Sequence, residues 1–93
     1  ILGESFAGRV AASLLTAVGL PELIATTLAD YEQLALALAS GPSRLAGIKS
    51  KLACNRITEP LFDTKRFTRH LEAAYIAMWE RHQKGAPPAS FAV

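Results

Sequence analysis

A mainly α-helical fold of about four helices, with at most one short strand at residues 20–25, is predicted for this chain. Three observations predict it. Apolar residues recur at three- and four-residue spacing over separate stretches of the sequence. Glycine, proline and side chains able to cap a helix fall between those stretches. No internal repeat, low-complexity tract or linker interrupts residues 3–85, so the connections are short.

The first element runs from Gly3 to Val18. Phe6, Val10, Leu14 and Val18 stand four apart with Ala7, Ala11 and Leu15 beside them, giving a wide apolar face. Gly3 precedes this helix and Glu4 opens its first turn. Gly19 follows where a left-handed closing residue is favoured. Pro21 blocks further helix, and Leu20 to Ala25 reads as a short extended piece. Thr26 or Thr27 offers a capping hydroxyl to a second helix at about 27–40, lined by Tyr31, Leu34, Ala35 and Leu38. Gly41-Pro42 closes one helix and opens the next. The third helix, about 42–56, is lined by Leu45, Ile48 and Leu52 and presents Arg44, Lys49, Lys51 and Arg56 outward. It must stop before Pro60. Asp63 then caps a fourth helix whose buried stripe is expected to be Phe67, Leu71, Ala74, Tyr75 and Met78, with Ile76 and Trp79 off the stripe. An indole so placed suggests contact beyond the helix's own neighbours. Lys84-Gly85-Ala86-Pro87-Pro88 ends the helix, and residues 86–93 are expected to be a flexible tail.

Ninety-three residues make one domain at most, and a chain of that length buries only about 60–65% of its unfolded surface. Hydrophobic content of 51% and a mean hydropathy of +0.22 are high, yet no window approaches the length of a membrane span. The chain begins at Ile1 without a basic segment and cleavage site, which suggests a piece of a longer protein. Cys54 is alone, which excludes an internal disulfide and fits a reducing, cytoplasmic setting. The net charge of +2 hides an asymmetry: residues 1–43 set Arg9 against Glu4, Glu22, Asp30 and Glu32, while residues 44–93 hold nine Lys and Arg against four acids.

Few groups point to chemistry. His70 and His82 are twelve apart on different faces of the fourth helix, so they form no metal pair and read as surface histidines. Cys54 has Lys51 and Arg56 near it but no base or orienting partner, and a buried or inert thiol is expected. Gly3 at a helix start has ligand potential through unpaired amides, although Glu4 beside it would repel a phosphate. Arg9, the one base of the acidic half, reads as a structural tie to a neighbouring segment. Arg44, Lys49, Lys51, Arg56, Lys65, Arg66 and Arg69 carry few interleaved aromatics and no nucleic-acid motif, so a solvated basic face is the default.

A sequence pattern goes further. The run Gly3-Glu4-Ser5-Phe6-Ala7-Gly8-Arg9-Val10-Ala11-Ala12-Ser13-Leu14-Leu15 resembles the G-E/R-T/S-x-A-S-R-V-A-x-S-L segment near the C-terminus of the protein O-GlcNAc transferases and their bacterial relatives. Gly19-Leu20-Pro21-Glu22-Leu23-Ile24-Ala25, Asp30-Tyr31-Glu32, the run from Pro60 to Lys65, Leu71-Glu72, Tyr75 and Met78-Trp79-Glu80 follow in the family's order. Gly8 departs from it, since the family usually has Ser there. The resemblance implies the C-terminal portion of the second Rossmann-like half of a two-domain (GT-B) glycosyltransferase, behind a superhelix of tetratricopeptide repeats. Gly3 to Val18 would be a helix after a strand-to-helix loop, Leu23 to Ala25 a short last strand, and the remainder up to residue 85 terminal helices on the sheet's flank. In such folds ligands sit at the carboxyl ends of the strands. UDP-GlcNAc would be the donor substrate of the parent enzyme, with no cofactor in this chain.

The family's catalytic His, its His-Thr-Thr stretch and its ribose-binding Asp lie upstream of the matched segment. Only Gly3 and Glu4 are therefore candidates to approach the nucleotide cleft, and no catalytic residue is carried over. The expected partners are the rest of the transferase and, for the piece by itself, a second copy, since an uncovered apolar helix face usually finds a partner. Two other functions compete. A free-standing helical interaction module would use the basic third helix and Trp79, and a nucleic-acid binder has only a pI near 9.0 in its favour.

Overall fold

The computed structural model describes residues 1–92 and divides the chain into two compact units, Ile1–Phe62 and a second from Asp63 onward. Four α-helices and two 3-10 turns make up the described residues, with no strand among them.

In the first unit α1 spans Phe6–Ala17, α2 Leu28–Ser40 and α3 Pro42–Thr58. The structure corrects the start of α1. Ser5 is its N-cap, and its Oγ accepts from the Gly8 amide at 3.1 Å, so Gly3 and Glu4 lie in a bend ahead of the helix and Glu4 is outside the first turn. A serine hydroxyl one residue before the apolar periodicity satisfies an orphan amide, which a glycine cannot do. At the far end Gly19 has φ +72°, the Leu20 amide bonds to Leu15 O at 2.8 Å and the Gly19 amide to Thr16 O at 3.0 Å. These are the paired closing bonds expected of a left-handed glycine.

The strand expected within residues 20–25 does not form. Pro21–Leu23 is a 3-10 turn, because Pro21 presets the first helical dihedral and no neighbouring strand offers a ladder. Only Ile24 after it is extended. The corner from Val18 to Ala25 holds the three buried apolar residues among those described, Val18, Leu20 and Ala25.

Thr27 rather than Thr26 caps α2, accepting from the Asp30 amide at 3.0 Å, while Thr26 donates to the Asp30 carboxylate at 3.3 Å. Gly41 joins α2 to α3 at φ −116°. Its glycine answers to space, since a Cβ there would stand 2.7 Å from the Ala37 carbonyl oxygen. Pro42 opens α3 as expected, and α3 continues two residues beyond the expected end. A second 3-10 turn at Pro60–Phe62 lies against α1 and α3.

The second unit contains α4, Thr64–Gln83, capped by Asp63, whose carboxylate accepts from the Arg66 amide at 2.9 Å. Gly85 at φ +65° closes it with Ala86 N–H to Arg81 O at 3.2 Å. Beyond it the Arg81 Nε donates to the Pro87 carbonyl, and Met78, Arg81, His82, Ala86, Pro88 and Phe91 line a recess of about 240 Å³. The last residue of the expected tail, Val93, lies outside the described residues. The expected buried stripe of α4 is open instead: Phe67, Leu71, Tyr75 and Met78 are exposed and Ala74 is half-buried. A single helix with a short returning segment has nothing to bury such a stripe against.

Candidate functional site

The residues singled out for a ligand, Gly3 and Glu4, both lie exposed in the bend that leads into α1. Ser5 takes up the Gly8 amide, and Arg9 N–H bonds to Ser5 O at 3.1 Å. The amides of Phe6 and Ala7 have no intrahelical acceptor, as at any helix start. Such amides favour an anion, and the Glu4 carboxylate just ahead of them opposes one. Preceding the bend, Leu2 N–H donates to Ala25 O at 2.8 Å. The Ile1 carbonyl oxygen lies 2.6 Å from where a Cβ on Gly8 would stand, so Gly8 is the residue that lets this lead-in segment lie against α1. The departure at Gly8 thus has a steric use.

The 18–25 corner is gripped from α3 by two side chains that the sequence pattern does not pair with it. The Asn55 carboxamide nitrogen donates to Val18 O at 2.9 Å and to Gly19 O at 3.1 Å. One turn earlier Lys51 Nζ meets Glu22 Oε1 at 2.6 Å, the one ion pair among the described residues. Periodicity places Lys51 on the outward basic face, and in the structure it is exposed there while also reaching Glu22. The hydrogen bond from Lys51, aided by Glu22's own backbone amide, holds the Glu22 carboxyl below its ordinary value of 4.5. A signal for Asn55 exists in the sequence, since a short amide inside a helix disfavours that position unless it bonds elsewhere. Nothing local names its partners 36 and 37 residues away.

The other candidates remain apart. Arg9 is exposed and makes no side-chain bond among the described residues, so the expected tie is absent. Cys54 is exposed, which removes the buried alternative of the expectation and leaves the inert one. His70 and His82 are exposed, and His82 lies 5.8 Å from Trp79, ring centre to ring centre, with the rings tilted by 37°. No cluster of three or more His, Cys, Asp or Glu able to hold a metal occurs among the described residues. No helix among them is long and apolar enough to cross a membrane. The apolar face of α1 is open as well: Phe6 is 78% exposed, and Val10 and Leu14 are exposed below it.

Comparison with known proteins gives this geometry a context. The family model described as glycosyl transferase family 41 matches residues 1–71. The chain is 41% identical over 91 residues to the probable UDP-N-acetylglucosamine--peptide N-acetylglucosaminyltransferase SEC of Arabidopsis thaliana, covering 97% of this chain and 9% of that protein. It is 38% identical over 84 residues to the UDP-N-acetylglucosamine--peptide N-acetylglucosaminyltransferase of Caenorhabditis elegans, covering 90% of this chain and 7% of the relative. With the probable enzyme SPINDLY of Hordeum vulgare the identity is 45% over 87 residues, 94% of this chain and 9% of the relative. The chain therefore spans less than a tenth of the length of these relatives.

Proposed function

The chain belongs to glycosyl transferase family 41, and on that basis we propose that it is the C-terminal structural part of a transferase that moves N-acetylglucosamine from UDP-GlcNAc to Ser or Thr of proteins. The observation that carries this reading is the match over nearly the whole chain to N-acetylglucosaminyltransferases. In the complete enzyme the α1 face of Phe6, Val10 and Leu14 lies on the sheet of the second Rossmann-like half. α2, α3 and α4 buttress its flank, and Gly3 and Glu4 come near the nucleotide cleft. Tetratricopeptide repeats and the catalytic groups belong to the rest of the polypeptide, and this chain is inactive without them. The enzyme works in the cytoplasm, where an exposed, unpaired Cys54 is tolerated.

The deciding experiment uses the complete gene product, radiolabelled UDP-GlcNAc and an acceptor protein. Transfer is expected from the complete protein and none from the chain by itself. Deleting residues 1–93 from the complete protein abolishes transfer. Full activity after the deletion, or no transfer by the complete protein, refutes the reading. The isolated chain self-associates through the open α1 face, and a strict monomer by light scattering at high concentration would count against that part.

A further inference from the structure

We propose that Asn55 is a positioning residue: by holding the carbonyls at the end of α1 it fixes, through the 18–25 corner, the Gly3–Ser5 bend that leads into the same helix. The corner is the best-buried part of the described residues, with Val18, Leu20 and Ala25 at 5%, 2% and 5% exposure. Its two ends have different tasks. At one end the carbonyls of Val18 and Gly19, which the helix leaves without amide donors, are taken up by the half-buried Asn55. At the other end Ala25 O takes the Leu2 amide. From Leu2 only Gly3 and Glu4 intervene before Ser5, whose hydroxyl is fixed to Gly8. The bend is thus suspended between the corner and the helix cap, and the corner is held from α3. Lys51 supports the same corner through Glu22, but in solvent, where such a pair contributes little. Asn55 is the stronger grip.

The catalytic consequence rests on the family reading above, in which the bend faces the sugar nucleotide. Loss of the Asn55 donor then lets the corner relax, frees the Leu2 amide and weakens hold on the nucleotide more than on the acceptor. The test uses the complete gene product with Asn55→Asp, which keeps the shape and cannot donate, and Asn55→Gln, which keeps the donor. Ala35→Gly, in the exposed interior of α2, lowers stability away from the corner. For Asn55→Asp, amide exchange in the segment 1–6 is expected to speed up about tenfold, and KM for UDP-GlcNAc to rise about fivefold while acceptor KM moves less than about twofold. Asn55→Gln restores most of both, and Ala35→Gly changes neither. Should Asn55→Asp fail to fold, Lys51→Met on the same corner is read instead and shows smaller changes in the same direction. Unchanged exchange at 1–6, equal acceleration by Ala35→Gly, or faster exchange with an unmoved KM in an active enzyme overturns the proposal. Absence of any transfer by the wild-type protein refutes the family reading alone, since the exchange measurement still decides whether Asn55 sets the bend.

Discussion

Replacing Gly19 by alanine tests the closure of α1 most directly, because two independent costs meet at that residue. At φ +72° an alanine is strained, which costs about 1–2 kcal/mol and is offset by about 0.4–1 kcal/mol from the less flexible unfolded chain. The new Cβ would also stand 2.6 Å from the Asn55 amide nitrogen and 3.0 Å from Glu59 Cγ. Glu59 can swing aside. Asn55 cannot retreat without giving up its bonds to Val18 O and Gly19 O, each worth about 1 kcal/mol. The sum is about 3 kcal/mol, against roughly 5–14 kcal/mol for a domain of this length. Urea unfolding followed by far-UV circular dichroism measures it, and a double-mutant cycle separates the two costs. In an Asn55→Ala background, Gly19→Ala is expected to cost only about 1 kcal/mol, because the clash has gone and the strain remains. Gly85 supplies the matching control, since it has φ +65° and a Cβ added to it would meet nothing within 4 Å. Gly85→Ala should therefore cost about 1 kcal/mol or less in any background. A Gly19→Ala loss that is the same with and without Asn55 would refute the clash.

Three further outcomes are expected. Glu22 has a depressed carboxyl pKa, so the stabilisation it gains from Lys51 is complete above its ordinary value of 4.5 and is lost as pH falls through the lower folded value. An NMR titration of Glu22 reads this directly, and Lys51→Met should return the midpoint toward 4.5. Asp63→Ala removes the acceptor for the Arg66 amide and should cost about 1 kcal/mol of helix stability, visible as fraying of the first turn of α4 in amide exchange. Phe6→Ser, at a residue 78% exposed, should leave the stability of the isolated chain within about 0.5 kcal/mol while lowering the yield of active complete enzyme and the self-association of the chain.

What is legible in the sequence is local. Gly19 can be placed in the left-handed region because a helix of that periodicity followed by Pro21 leaves few alternatives, and its φ agrees. Pro42 and Asp63 are legible for the same reason, since each bonds within its own first turn or opens it, whereas the cap of α2 is legible only as Thr26 or Thr27. At the start of α1 the Ser5 hydroxyl is a better cap than Gly3, a preference that the glycine of the family pattern obscures. The segment Pro21–Leu23 reads as extended because Pro21 ends a helix, but the same proline suits the first position of a 3-10 turn, and no strand stands beside it among the described residues. The grip of Asn55 and Lys51 on the corner is illegible, for periodicity gives the face of a helix and not the segment that comes to lie on it. The same limit explains α4, whose apolar stripe can be drawn but not covered.

The helices of this chain are thus bounded by its own residues, while apolar faces of α1 and α4 stay open. Ser5, Thr27 and Asp63 each satisfy an opening amide, Gly19 and Gly85 each close a helix, and Asn55 takes the carbonyls left at the end of α1, so these starts and stops are met within the chain. Burial is another matter. Isolated exposed apolar residues are ordinary on any protein, but Phe6, Val10 and Leu14 on α1 and Phe67, Leu71, Tyr75 and Met78 on α4 are exposed in helical register. Register is the mark of a face meant to lie on something. Cap substitutions should consequently lower the stability of the chain itself, whereas substitutions on the two faces should leave that stability little changed. That division of effects would not arise in a self-contained bundle, where the same face residues would be the core.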